Sequence, residues 1–129
     1  MQKFFLTSLA LCLAVTLFAK DYSITSPDKK IVLSVSPGNG VTWNVTFNGT
    51  LVAGPCNAAM SLVNGSLPAT AAKVKKIKTE EISNVLTPVV PHKNSTIIDH
   101  CNQMTIWFTD GTSFIFRAYN DGVAYRIAS

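Results

Sequence analysis

Between residues 102 and 127 the chain alternates apolar and polar side chains in three short bursts, each stopped by turn residues. Met104, Ile106 and Phe108 alternate with Thr105, Trp107 and Thr109, the period-two pattern of a strand with two unlike faces. Asp110-Gly111-Thr112 interrupts it with residues that tolerate positive φ in hairpin turns. Phe114, Phe116 and Ala118 then point one way, and Ile115, Arg117 and Tyr119 the other. Asn120-Asp121-Gly122 turns the chain again, and Val123, Tyr125 and Ile127 share one face of a last strand. The pattern predicts a three-stranded meander with both faces substantially apolar, as in a sheet packed between layers. A last strand of this kind, directly before Ser129, is expected to leave an open edge. Such an edge predicts that the chain is the first part of something larger.

Upstream the same grammar recurs. Tyr22 to Ser26 reads as a short opening strand, and Ile31, Leu33 and Val35 as the inward face of a second. Pro37-Gly38-Asn39-Gly40 is a turn; Val41, Trp43, Val45 and Phe47 form the next apolar face, and Asn48-Gly49 is a strong hairpin signal returning into Leu51-Val52-Ala53. The middle is less legible. Gly54-Pro55 and residues 65–68 read as loop punctuation, with a short strand between them over 58–63. Residues 73–82 fit neither period cleanly; an irregular strand is favoured over a short helix. Pro88 and Pro91 confine residues 85–92 to an edge strand or extended loop. Short strands at regular spacing without a helical segment predict an all-β, antiparallel β-sandwich.

Composition changes this picture at the N-terminus. The 47% hydrophobic content and mean hydropathy of +0.26 are inflated by residues 4–18, an apolar run after Met1-Gln2-Lys3 and before Ala19-Lys20-Asp21. That run is too short to cross a hydrocarbon core of about 30 Å comfortably, so residues 1–19 are expected to be a secretory signal peptide rather than a retained anchor. Residues 20–129 are then the exported domain, periplasmic or secreted, with no membrane contact after cleavage. Cleavage removes Lys3 and no acid, taking the net charge from +4 to +3. Lys73, Lys75, Lys76 and Lys78 cluster, but Glu80 and Glu81 follow at once and no aromatics interleave. This reads as a protected strand edge and gives no footing for nucleic acid. Cys12 leaves with the leader. Cys56 and Cys101 remain, and whether they pair is open. Asn44, Asn48, Asn64 and Asn94 head glycosylation sequons, which matter only in a host that modifies them.

Candidate chemistry is sparse. Glu80 and Glu81 are neighbours, so on a strand their carboxylates point to opposite faces and cannot flank one bond. Asp28, Asp110 and Asp121 sit in turn signatures. Asp99 beside His100 is poor geometry for a base and its orienting partner, and no Gly-x-Ser-x-Gly or metal-ligand spacing accompanies them. No catalytic, cofactor or metal residue is assigned. Trp43 and Trp107, with Tyr119 and Tyr125, are candidates for stacking on sugar rings; their alternation with aliphatics favours core packing.

Two stretches resemble glycoside hydrolase family 97. Ser26-Pro27-Asp28-Lys29-Lys30-Ile31 after a leader, followed by a Gly-Asn-Gly turn into Trp43-Asn44-Val45, looks like the family's start. Asn102-Gln103-Met104-Thr105-Ile106, and then Phe116 through Arg126 (Phe-Arg-Ala-Tyr-Asn-Asp-Gly-Val-Ala-Tyr-Arg), is similar to a hairpin in its N-terminal domain. The resemblance implies an exported bacterial α-glucosidase or α-galactosidase. It also implies that this chain is part of a galactose-mutarotase-like β-super-sandwich packed on a catalytic (β/α)8 barrel. Calcium assists catalysis in the full-length family, with ligands and catalytic carboxylates beyond this region. Arg117, Tyr119, Asn120, Asp121, Gly122 and Arg126 are the signature residues, with structural roles in the hairpin. The expected function is a non-catalytic N-terminal β-sandwich that helps shape the barrel's active site. The alternatives are a stand-alone carbohydrate-binding module taking an α-linked oligosaccharide, or an adhesin-like subunit completed by a partner strand.

Overall fold

The computed structural model describes residues 20–38, 40–90 and 93–129. The leader predicted over residues 1–19, Asn39 of the first turn, and Pro91 and His92 lie outside the described residues. Among the described residues ten strands follow one another: β1 (Tyr22–Thr25), β2 (Ile31–Gly38), β3 (Gly40–Phe47), β4 (Thr50–Ala58), β5 (Met60–Leu62), β6 (Gly65–Leu67), β7 (Val74–Leu86), β8 (Ile97–Phe108), β9 (Ser113–Tyr119) and β10 (Gly122–Ala128). They make one sheet in the order β1-β2-β3-β4, a second in the order β10-β9-β8-β7, and a separate β5-β6 hairpin. All pairings are antiparallel, as the alternation predicts.

The two four-stranded sheets stack because each has one continuous apolar face. Ile24, Ile31, Leu33, Val35, Val41 and Val45 from the first meet Met104, Ile106, Phe108, Phe114, Phe116 and Ala118 from the second, all buried. Phe108 and Phe114 sit edge to face with centroids 5.7 Å apart, and Phe114 stacks on Phe116 at 6.1 Å. β1 lies against β8 and β2 against β9, while Trp43 of β3 meets Tyr125 of β10, ring centroids 5.8 Å apart. The sheets are therefore offset by one strand, leaving β4 and β7 on opposite flanks.

Three sequence expectations need correction. The strand after Asn48-Gly49 does not stop at Gly54-Pro55; β4 runs through them to Ala58. Gly54, at φ +113°, absorbs the irregular pairing with β3, where the register shifts around Val45. Pro55 needs no donor because β4 borders its sheet. The punctuation over residues 65–68 includes β6, paired with β5 through Met60↔Leu67. The stretch after Lys73 is, as favoured, an irregular strand: β7 runs 13 residues, past Ile82 to Leu86, with one irregularity between Val74 and Lys76. Finally, the C-terminal meander is apolar on its inner face only: the second face carries half-buried polar groups, Arg117 and Tyr119 among them.

Side-chain clips close the turns. The Asp28 carboxylate accepts from the Ser26 hydroxyl and the Lys30 backbone N–H, and both contacts hold its pKa below the usual carboxylate range. Asp110 accepts from the backbone N–H groups of Ala69 and Thr112, and the Ala69 contact does most to lower its pKa. A depressed folded-state pKa means the unfolded chain binds these protons more readily. Stability from both groups is complete above the unfolded carboxylate value of about pH 4 and drains away as the pH falls below it. Urea denaturation at a series of pH values from neutral to strongly acidic should show that slope in the wild-type chain and a shallower one in Asp28→Asn/Asp110→Asn. Equal slopes would remove the two aspartates from the explanation.

Candidate functional surface

The outer face of the β7–β10 sheet holds a polar rail across three strands. Its register follows from the β8-β9 turn: Gln103 stands directly opposite Arg117, and Glu80 of β7 directly opposite Gln103. Arg117 Nε donates to Gln103 Oε1 at 2.8 Å, and Gln103 Nε2 donates to Glu80 Oε1 at 3.0 Å. Lys78 Nζ donates to Glu80 Oε2 at 2.7 Å. At the other end, the Tyr119 hydroxyl donates to Asp99 Oδ1 at 3.0 Å, and Arg117 Nη1 reaches the Tyr119 oxygen at 3.2 Å and Asp99 Oδ2 at 3.4 Å. Cys101 and Thr105 are buried along the same face.

Each charge in the rail thus has an opposite partner or a hydrogen-bonding neighbour. The Lys78 contact does most to hold Glu80 below its ordinary range. Burial pushes the Tyr119 phenol and the Cys101 thiol up, so both stay protonated near neutrality and neither is an activated nucleophile. Arg117 is raised, first by its contact with Tyr119. The arrangement fixes a surface; it offers no unpaired base.

The remaining residues singled out in the sequence fall in three places. Trp43 turns its ring into the sandwich, with Nε1 buried and lacking a hydrogen-bond partner among the described residues. It lines a cleft of about 290 Å³ with Leu33, Phe116, Val123 and Tyr125, beside the border strand β10. Trp107 lies on the outer face with Lys76 Nζ 5.5 Å from its ring centroid. Asn120 Oδ1 accepts from the Asp28 backbone N–H at 2.9 Å, joining the β9-β10 turn to the β1-β2 turn. Asp121 is at that turn, Gly122 opens β10 opposite Tyr119, and Arg126 lies opposite Ile115. Glu80 and Glu81 do point apart: Glu81 accepts no part in the rail and instead meets His100 Nε2 at 2.8 Å. Asp99 and His100 likewise face opposite sides. Cys56 and Cys101 are free thiols on different sheets.

The sequence offers Gln103 only within the family-like stretch, Asp99 only beside His100 and Lys78 only in the lysine cluster; their meeting in one rail is what the structure adds. The signal was present for Gln103: it and Arg117 each stand seven residues from Asp110, which a turn centred there brings face to face. Among the described residues no three His, Cys, Asp or Glu side chains gather in a way that could hold a metal ion. The resemblance places the family's calcium ligands beyond this region.

A two-sheet antiparallel sandwich whose charged groups are tied into rails and turns is, as a class, an all-β sandwich domain. Residues 24–129 match the family described as Glycosyl-hydrolase 97 N-terminal, and the chain belongs to that family. It is 31% identical over 127 residues to a retaining alpha-galactosidase of Bacteroides thetaiotaomicron, covering 96% of this chain and 19% of that protein. Among solved structures, a glycoside hydrolase family 97 enzyme in complex with acarbose, from Pseudoalteromonas sp. strain K8, superposes with a TM-score of 0.69 at 18% identity, over 82% of this chain and 17% of that one. A beta-arabinopyranosidase superposes with a TM-score of 0.70 at 22% identity, over 84% and 18%. These likenesses show a shared fold, and the chain spans about a fifth of the length of the relatives it matches.

Proposed function

We propose that this chain is the non-catalytic N-terminal β-sandwich of an exported family 97 α-glycosidase. In this reading it packs against a (β/α)8 barrel that carries the chemistry on an α-galactoside or α-glucoside, and helps shape the mouth of its active site. The observation that carries the reading is the state of the acids. Six of the seven Asp and Glu residues hold a structural contact: Asp21 with Ser36, Asp28 and Asp110 in turns, Glu80 and Asp99 in the rail, Glu81 with His100. Cleaving a glycosidic bond requires two carboxylates about 5–10 Å apart with room for substrate between them. Acids that are already engaged support a scaffold role. The match to an N-terminal family domain that makes up a fifth of an α-galactosidase supports it further.

The purified chain is expected to release no aglycone from aryl α-galactosides or aryl α-glucosides. It is also expected to show unchanged tryptophan fluorescence when titrated with maltooligosaccharides or galactosides. Turnover that survives Glu80→Gln/Glu81→Gln would overturn the assignment of the acids. Saturable quenching abolished by Trp107→Ala would replace the scaffold with a carbohydrate-binding module.

A further inference from the structure

The β7-β8 hairpin is longer than the sheet that supports it. β8 pairs with β9 only from Asn102 to Trp107, whereas its pairing with β7 continues back to Leu86↔Ile97. Residues 83–86 and 97–100 therefore run on as a two-stranded ribbon past the end of β9, with Cys101 still buried at its base and Asp99 tied back to Arg117 and Tyr119. A two-stranded ribbon is marginally stable in water unless something packs on it. Its tip is apolar on both faces, beyond the polar pairs Ser83↔His100 and Asn84↔Asp99. Val85 and Ile98 stand opposite each other on the face continuous with the core, 69% and 74% exposed; Leu86 and Ile97 are opposite each other on the other face, 50% and 45% exposed.

The charge pattern along β7 points the same way. Lys75, Lys76, Lys78, Glu80 and Glu81 guard the border of the sheet where β8 and β9 back it, and charges stop at Glu81. Residues 82–86 carry none, although they lie on the same border. Charged border strands resist stray pairing, so the unguarded part is the part free to be covered. At the ribbon's root lies an open basin of about 700 Å³, where Leu86, Ile97 and Ile98 meet Asp99, Arg117 and Asn120. Apolar patches of this kind, rimmed by paired polar groups, mark contact with another folded surface.

We infer that the projecting β7-β8 ribbon is the arm by which this domain grips the folded region that follows it in the longer relatives, with both apolar faces covered there. This rests on the reading of the chain as one domain of a larger enzyme. The occupant is the remainder of that polypeptide because the matched region is only 19% of the Bacteroides thetaiotaomicron relative. A second copy of the chain is the competing occupant.

The test exchanges this domain for its counterpart in the intact α-galactosidase relative and compares the wild-type arm with Val85→Lys/Ile98→Lys. Both positions are exposed, so the free chain should fold and melt the same with or without the substitutions. In the chimera, amide exchange at residues 83–86 and 97–100 should slow at least about tenfold relative to the free chain, with one shared thermal transition. The double substitution should abolish the slowing and split the transition in two. A single transition in both chimeras would overturn the arm while leaving the accessory-domain reading in place. Two transitions with the wild-type arm, and exchange as fast as in the free chain, would remove both. A concentration-dependent dimer of the free chain, dissolved by the substitutions, would assign the ribbon to self-association instead. If the chimera does not accumulate, the same substitutions at the aligned positions of the intact relative decide between these outcomes.

Discussion

Phe114→Ala should cost about 3–5 kcal/mol of stability, the range for truncating a large aromatic in a packed core. Phe114 is fully buried at the centre of the second sheet and touches Phe108 edge-on and Phe116 face-on. Removing its ring deletes both aromatic contacts and leaves a void that Leu33, Val35 and their neighbours on the facing sheet cannot close without moving strands. For a domain of this size that loss lowers the melting temperature by roughly 10–25 °C. Differential scanning calorimetry of the wild type and variant measures it directly. A drop of only a degree or two would mean the two sheets do not meet through this residue. Phe114→Leu, which keeps most of the volume, should recover more than half of the loss.

Gly54→Ala is the second large effect, and its cause is geometric rather than hydrophobic. Gly54 has φ +113°, a conformation L residues rarely adopt, and an added Cβ would fall 2.6 Å from Asn44 Cβ, 2.8 Å from Asn44 Cα and 2.9 Å from the Trp43 carbonyl oxygen. Two of those three atoms are backbone, so no rotamer change relieves the overlap. Backbone strain of about 1–3 kcal/mol combines with overpacking of about 1–3 kcal/mol. The expected outcome is a loss of roughly 2–6 kcal/mol, with amide protection lost first along β3 and β4. By contrast Gly111→Ala, also at positive φ (+88°) but with open space around it, should cost only the conformational part. If the two substitutions destabilise equally, the close approach of β3 and β4 is not what selects glycine at position 54.

How far the sequence reveals this fold depends on what each strand faces. β9 reads clearly because Phe114, Phe116 and Ala118 are buried and the residues between them are not, so its period of two survives intact. Asn48-Gly49 and Asp110-Gly111 announce their turns chemically; Asn48 and Gly111 have positive φ. β7 reads poorly because it is a border strand whose flank has no strand of the other sheet above it, so both of its faces carry polar residues and no alternation is imposed. Gly54-Pro55 reads as a loop because the same residues that end a strand also permit an irregular one on a border. The polar rail escapes for a different reason. Gln103, Glu80 and Arg117 belong to three strands, and they become neighbours only once two registers are known.

The pairs that close the sandwich lie far apart along the chain. Asn102 Nδ2 donates to the Thr25 carbonyl oxygen 77 residues away, and Asn120 holds the Asp28 amide across 92 residues. β1 and β2 cannot find their facing layer until β8 and β9 exist as polymer, so assembly of the two halves is a late, slow event. Until then Ile24, Leu33 and Val35 are bare to the surroundings, and the nascent chain is a natural client for a holding chaperone during that wait.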